Sequence, residues 1–215
     1  MNYLELVNNV LRRLREGEVT SVLDNPYSQM IGEFVNDSKR QVEDAYSWNA
    51  LTETLSATTT ADIFNYVLVG SGQRFKVMDV LNDTTNMIMR NASSAQMNDW
   101  YVLNANQKGQ PYYYNFNGTT INGDTQVDVY PIPDGVYNLR FNIFRPQNTL
   151  VNSSDILYVP TEPVIYGAVA RAMAERGEDG GIQSNEMYAL FQQSLSDAIA
   201  IESSRYIEEG EWISV

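Results

Sequence analysis

The stretch VEDAYSWNALTETLSA, from Val42 to Ala57, begins on a helical period and ends on a strand period. Before it, Ile31, Phe34, Val35, Val42, Ala45 and Tyr46 recur on one helical face that runs to about Trp48. From Leu51 the spacing changes. Leu51, Glu53, Leu55 and Ala57 alternate with Thr52, Thr54 and Ser56, the pattern of an edge-like strand. A boundary near residue 50 follows, with helix on its N-terminal side and strand beyond it.

The N-terminal side holds two predicted helices. Asn2 and Glu5 have the spacing of a capping box, Leu4, Val7, Leu11 and Leu14 form a narrow apolar stripe, and Gly17 ends the element. Arg12, Arg13 and Arg15 lie off that stripe near the helix end, where the dipole favours cations. They suit contact with phosphate or an acidic neighbour, but equally a solvated face. Asn25-Pro26 opens the second helix, with Asn as cap and Pro at the first helical position.

On the other side, Asn, Thr, Tyr and Gly dominate. Gly70-Ser71-Gly72 between Phe64, Tyr66, Leu68 and Phe75, Val77 predicts a hairpin. Further strands are expected over Met87–Arg90, Trp100–Asn104, Pro111–Phe116, Gln126–Tyr130 and Val136–Phe144. Asn82-Asp83, Lys108-Gly109, Asn117-Gly118, Asn122-Gly123 and Asp134-Gly135 are read as the turns between them. Helical spacing returns after residue 160. Thr161 is the expected cap of an Ala-rich helix ending at Arg176-Gly177, and Ser184 opens a last helix through Met187, Leu190, Phe191, Leu195, Ala198 and Ile199. The order helix, strand, helix predicts an α+β protein: a helical bundle domain from residues 1–50 and 151–215, with an inserted antiparallel β-sandwich or barrel domain over 51–150.

Composition narrows the chemistry. The 215 residues carry 14 Lys and Arg against 27 Asp and Glu, a net charge of −13, and eleven of those acids follow residue 150. Such a surface repels nucleic acid, so sequence-specific DNA reading is not expected. With no Cys and no His, thiolate nucleophiles, Cys/His zinc sites and Ser-His-Asp triads are excluded. No signal-like start and no bilayer-length apolar run is evident, which points to a soluble protein of a cell or particle interior. No catalytic residue, cofactor site or metal site is predicted.

Three groups of residues stand out against that background. Tyr112-Tyr113-Tyr114 with Trp100 and Phe116 resembles a sugar-stacking platform, although alternation along a strand turns at least one Tyr into the core. Glu53, Asp62, Asp79, Asp99, Asp124 and Asp128 supply carboxylates for glycoside hydrolysis, but nothing singles out an acid–nucleophile pair. Glu175, Glu178 and Asp179 gather at a helix C-terminus, where the dipole opposes them; they suit a use against a neighbour or along a negative lumen, but equally a hydrated loop. At the chain end Trp212, Ile213 and Val215 follow an acidic run; such a terminus either folds back on its own core or docks on a partner, and docking is the expectation favoured.

Several motifs occur together in a familiar order. Leu6-Val7-Asn8-Asn9-Val10-Leu11 opens the chain, and Arg40-Gln41-Val42 with Tyr46-Ser47-Trp48-Asn49 leads into the strands. Tyr158-Val159-Pro160 precedes an Ala-rich helix ending in Ala174-Glu175-Arg176-Gly177-Glu178, and Leu195 with Ala198 marks the last helix. In this order the chain resembles the head-to-tail adaptors of short-tailed bacteriophages, the tail tubular protein A group; the β insert matches only in position and character. The resemblance implies a non-enzymatic virion protein made in the host cytoplasm. It also implies a dodecameric homo-oligomeric ring between the portal protein and the tail nozzle protein, with genome DNA passing through the lumen. Alternatives are another tail, collar or head-completion component, or a carbohydrate-binding tail protein.

Overall fold

The computed structural model describes residues 1–103, 106–177 and 181–205. Among these the protein is a mixed α+β chain of five α-helices and two four-stranded sheets. It divides into two compact units, Met1–Leu51 with Pro146–Val215, and Thr52–Arg145.

The first unit is helical. In α1 (Tyr3–Arg13) the Asn2 side chain accepts from the Glu5 N–H at 2.8 Å, and Glu5 accepts from the Asn2 N–H at 2.9 Å, so the capping box is formed. The helix stops short of Gly17. Arg15 takes φ 61°, and the Glu16 N–H reaches back to the Leu11 carbonyl at 3.0 Å, a closing turn usually given to glycine. In α2 (Pro26–Ala45) Asn25 caps as the sequence predicts, accepting from the Ser28 N–H at 2.8 Å. It ends three residues before Trp48, whose buried indole N–H donates to the Val42 carbonyl at 2.7 Å and satisfies the last turn. A 3-10 turn, Asn49–Leu51, follows.

Two later helices complete this unit. α4 (Thr161–Arg176) has Pro160 rather than Thr161 at its cap position, and Gly177 closes it at φ 63°. Ala168 and Ala172 are fully buried, and a Cβ on Gly167 would sit 2.9 Å from Ser38 Oγ and 3.2 Å from a Phe191 ring carbon. The small residues of α4 thus serve close packing within the chain itself. α5 (Ile182–Ser203) starts two residues before Ser184, whose hydroxyl donates to the Gly181 carbonyl at 2.9 Å inside the first turn. Leu6, Val10, Ile31, Val35, Val164, Val169 and Phe191 share one apolar core, so both ends of the chain contribute to it.

The second unit holds the strands. One sheet has the order β1 (Thr52–Thr58), β8 (Asn138–Phe144), β3 (Lys76–Asn82), β4 (Met87–Ile88). The other runs β2 (Asn65–Val67), β7 (Thr125–Tyr130), β6 (Tyr113–Thr119), β5 (Arg90–Asn91). All pairs are antiparallel except β5 with β6. Val80, Leu139, Phe141 and Ile143 from the first sheet and Tyr114, Val127 and Val129 from the second form one buried cluster. The stretch from β4 to β5 passes from one sheet to the other at Met89, whose N–H donates to the Val80 carbonyl at 2.7 Å.

Three expectations for this unit are corrected. Gly70-Ser71-Gly72 does not close a hairpin: β2 pairs with β7, and β3 with β8 and β4. The Asp124 carboxylate accepts from the Gly70 N–H at 3.0 Å, and Ser71 Oγ accepts from the Thr125 N–H at 2.9 Å, so the turn is held by the β6–β7 connection. Trp100–Asn104 is not a strand over its described part. Ser93 and Gln96 form a capping box that starts α3 (Ser94–Asn98), continued by a π-helical turn over Asp99–Leu103; Asn104 lies outside the described residues. Asn117-Gly118 is no turn either, but lies within β6 where the register with β7 shifts.

Candidate functional site

Three buried polar side chains of α2 hold the chain where it returns from the strands. Asn36 reads the backbone of Leu150 from both sides, accepting from its N–H at 2.9 Å and donating to its carbonyl at 3.0 Å. One turn on, Lys39 donates to the Gln147 carbonyl at 2.8 Å and Glu43 accepts from the Gln147 N–H at 3.1 Å. Lys39 and Glu43 are themselves paired at 3.0 Å with side chains 4% and 1% exposed. The three residues share one face of α2 at i, i+3 and i+7. The reading of α2 as a purely apolar stripe missed them, and their polarity amid Val35 and Val42 was the available signal.

At the C-terminal end of α4, Arg176 is aimed back at the loop after α1. Its guanidinium lies 5.1 Å over the Tyr27 ring, donates to the Tyr27 hydroxyl at 2.8 Å and pairs with Glu16 at 2.5 Å. Burial pushes the Tyr27 phenol up, opposed by Arg176. These residues with Glu18 and Val19 edge a groove of about 450 Å³. Glu18 is in turn paired with Arg12 at 3.2 Å, and Arg13 lies 4.6 Å over the Tyr166 ring. Two of the three arginines after Leu11 are therefore occupied within the chain.

Of the acids expected at this end, Glu175 is exposed in the last turn of α4. Glu178 and Asp179, and the docking residues Trp212, Ile213 and Val215, lie outside the described residues.

The aromatic and carboxylate groups of the β unit are consumed by its architecture. Trp100 lies over Tyr130 at 4.7 Å and Tyr113 at 4.9 Å between ring centres. Tyr114 points the other way, into the core beside Phe141 and Phe116. Tyr112 receives Arg90 at 5.6 Å. Glu53 pairs with Arg145 at 2.6 Å and Asp62 with Lys108 at 2.5 Å. Asp79 accepts from Asn142 at 2.6 Å; Asp128 is buried and accepts from Asn65 at 2.6 Å and Asn117 at 2.8 Å. No two of these carboxylates share a site in this bonding pattern, and among the described residues no three acids gather as a metal-binding group. No described helix is long and apolar enough to cross a membrane.

What the geometry leaves open to other molecules is surface. In the helical unit Ile182, Tyr188 and Ile201 of α5 are 75%, 49% and 61% exposed, and Val151, Ile156 and Tyr158 are 67%, 59% and 58% exposed. Large apolar side chains left on an open surface are suited to fitting against other proteins. No curated protein matches the chain. Residues 1–210 do match a protein family, SU10 adaptor protein, which covers both helical ends and the strands between them. The expectation of a phage adaptor holds at that level, and the chain belongs to the SU10 adaptor protein family, structural proteins of phage.

Proposed function

We propose that this chain is the head-to-tail adaptor of its virion, assembled as a homo-oligomeric ring between the portal protein and the tail nozzle. The observation that carries this reading is the family match over residues 1–210. Family membership supports a structural role among the virion components of the head–tail junction. The finer points are part of the proposal: twelve copies, the tail-tubular type of a short-tailed phage, and DNA passing through the lumen.

In this reading the helices from residues 1–50 and 151–215 form a bundle that builds the ring. The strands of 51–150 form a sandwich that presents a second contact surface. A ring of chains each carrying −13 has walls to which DNA does not adhere, so the genome slides past. Glu175, Glu178 and Asp179 face the lumen or the adjoining copy, and Trp212, Ile213 and Val215 dock on the portal or nozzle. Heterologous contacts that close on themselves supply the symmetry.

Electron microscopy of the protein mixed with portal particles tests the reading. A closed ring at the portal–tail junction is the expected result; density at a fibre tip, or none on the portal, overturns it. In the same preparation, deletion of residues 210–215 is expected to abolish portal association. Unchanged association removes Trp212, Ile213 and Val215 from the docking role.

A further inference from the structure

The described cations of the helical unit find their partners in different ways. Arg12, Lys39, Arg176 and Arg205 each meet a carboxylate, of Glu18, Glu43, Glu16 and Glu202 respectively. Arg13 lies on the Tyr166 ring, and Arg15 and Arg40 stand exposed. Arg171 of α4 is unlike all of these. It is half-buried and held against α2, yet every group that holds it is neutral. Nη1 donates to Ser38 Oγ at 2.8 Å and to the Gly167 carbonyl at 3.3 Å, and Nη2 donates to Gln41 Oε1 at 2.9 Å. The chain has 27 acids, but the two nearest Gln41 along α2, Asp37 and Asp44, form no ion pair with this guanidinium. A guanidinium keeps its charge at any ordinary pH, and drawing it partly out of water without a counter-charge is costly.

The groups left over at this place are all donors. Ser38 spends its hydroxyl hydrogen on the Phe34 carbonyl at 2.8 Å while its oxygen accepts from Arg171. Gln41 gives its amide oxygen to Arg171, which fixes the amide and leaves its Nε2 hydrogens without a partner in the chain. Of the five N–H groups of Arg171, the Nε–H and one on Nη2 are likewise unspent. Nε and Nη2 border the same edge of the planar guanidinium, the edge on which a carboxylate seats with two parallel hydrogen bonds. Arg40, next to Gln41 on α2, adds a second positive charge close by. The guanidinium is also fixed in advance. Gly167, whose missing Cβ would lie 2.9 Å from Ser38 Oγ, lets α4 approach α2 closely enough for Ser38 and Gln41 to grip Arg171.

We propose that Arg171 and Gln41 form a receptor for a carboxylate carried by another molecule. The carboxylate bridges Nε and Nη2 of Arg171 and accepts from the Gln41 amide, which supplies the counter-charge that the chain withholds. A planar fork with an oriented amide beside it selects a carboxylate by shape as well as by charge. Nucleic-acid phosphate is the poorer match, because a chain of net charge −13 repels a polyanion before it reaches a single half-buried guanidinium. The Arg40-Gln41 pair, marked in the sequence only by its place near the end of a helix, thereby gains a use: Gln41 orients the guanidinium and adds a donor to it. The site lies wholly within the helical unit and goes beyond the adaptor reading without resting on it.

Titration of isotope-labelled full-length protein with sodium acetate, followed by NMR at constant ionic strength, tests the site. Saturable shifts of the Arg171 Nε–H and Gln41 side-chain amide resonances, absent when sodium chloride replaces acetate, are the expected result. No saturable shift, or the same shift with chloride, overturns the proposal. Two variants locate the response. Arg171→Gln is expected to abolish the shift at Gln41. Gln41→Glu supplies a carboxylate from within the chain and is expected to abolish the shift at Arg171, with the backbone spectrum showing the fold intact. An acetate response that survives in either variant overturns the assignment to these residues. Inorganic phosphate is titrated in parallel, and a stronger response to it than to acetate overturns the choice of a carboxylate.

Discussion

The helical unit and the β unit satisfy their backbones by different means. A strand added to a sheet finds its hydrogen-bond partners in the neighbouring ladder, as β1 does against β8 over all seven of its residues. An extended segment lying on a helix finds none, because the helix has consumed its own N–H and C=O groups. Residues 147–150 are in that position on α2, and Asn36, Lys39 and Glu43 replace the missing ladder with side chains. Buried polar side chains therefore carry a heavier duty in the helical unit. In the β unit Asp124 and Asp128 hold a turn and neighbouring amides around a ladder that already exists.

The contrast breaks most sharply at Lys39. Lys39→Met removes the ion-pair partner of a Glu43 side chain that is 1% exposed, and is expected to destabilise the helical unit by about 3–5 kcal/mol. Urea unfolding followed through the buried Trp48 measures this, and the double variant Lys39→Met/Glu43→Leu recovers only the part due to the unpaired charge, because the Gln147 N–H and carbonyl still lose their partners. A single variant with an unshifted midpoint would show that the latch is decorative. Next in size is Gly167→Ala, which forces a carbon to 2.9 Å from Ser38 Oγ and is expected to cost about 1–3 kcal/mol by overpacking α4 against α2 and α5. Stability equal to the parent would mean that the helices part without penalty.

A smaller effect is expected for Arg15→Gly. The φ of 61° at Arg15 suits glycine, so relief of about 1 kcal/mol is expected as a higher thermal midpoint. No gain would show that the Arg15 side chain has a compensating contact.

The smallest effect is alkaline and belongs to Tyr3, which burial, with the nearby Glu33 charge adding to it, pushes up to about 12 from an ordinary 10.0. The folded state favours the neutral phenol, so this stabilisation is complete below pH 10 and is lost as pH rises toward 12. Tyr3→Phe is expected to flatten the fall in stability over that window. Parallel curves for the two proteins would place the alkaline loss elsewhere.

Much of the helical architecture was legible because its signals are local. Asn2 with Glu5 and Asn25 with Pro26 each act within a turn, and both start helices where the residues say. The capping box of Ser93 and Gln96 is equally local but went unread beside Trp100, whose ring looks strand-like and covers Tyr113 and Tyr130. Of the candidate site residues, Glu175 is placed, exposed, by the end of α4. Of the apolar face expected on α5 from Met187, Leu190, Phe191, Leu195, Ala198 and Ile199, Phe191 and Leu195 are buried and Met187, Ala198 and Ile199 pack against the same core.

The amino-acid sequence by itself determined where the first two helices begin, that most of the middle of the chain would be strands, and that thiolate and imidazole chemistry is absent. Those outcomes depend on residue identity and on bonds spanning three or four positions. Which strands pair, and which polar groups are buried, were decided only by the tertiary structure. Gly70-Ser71-Gly72 reads locally as a hairpin but is captured by Asp124 and Thr125 more than fifty residues away, and Lys39 reads as surface until Gln147 arrives against it. The physical reason is the same in both cases: a donor or acceptor has no preferred partner until the fold brings one within about 3 Å and removes the competing water.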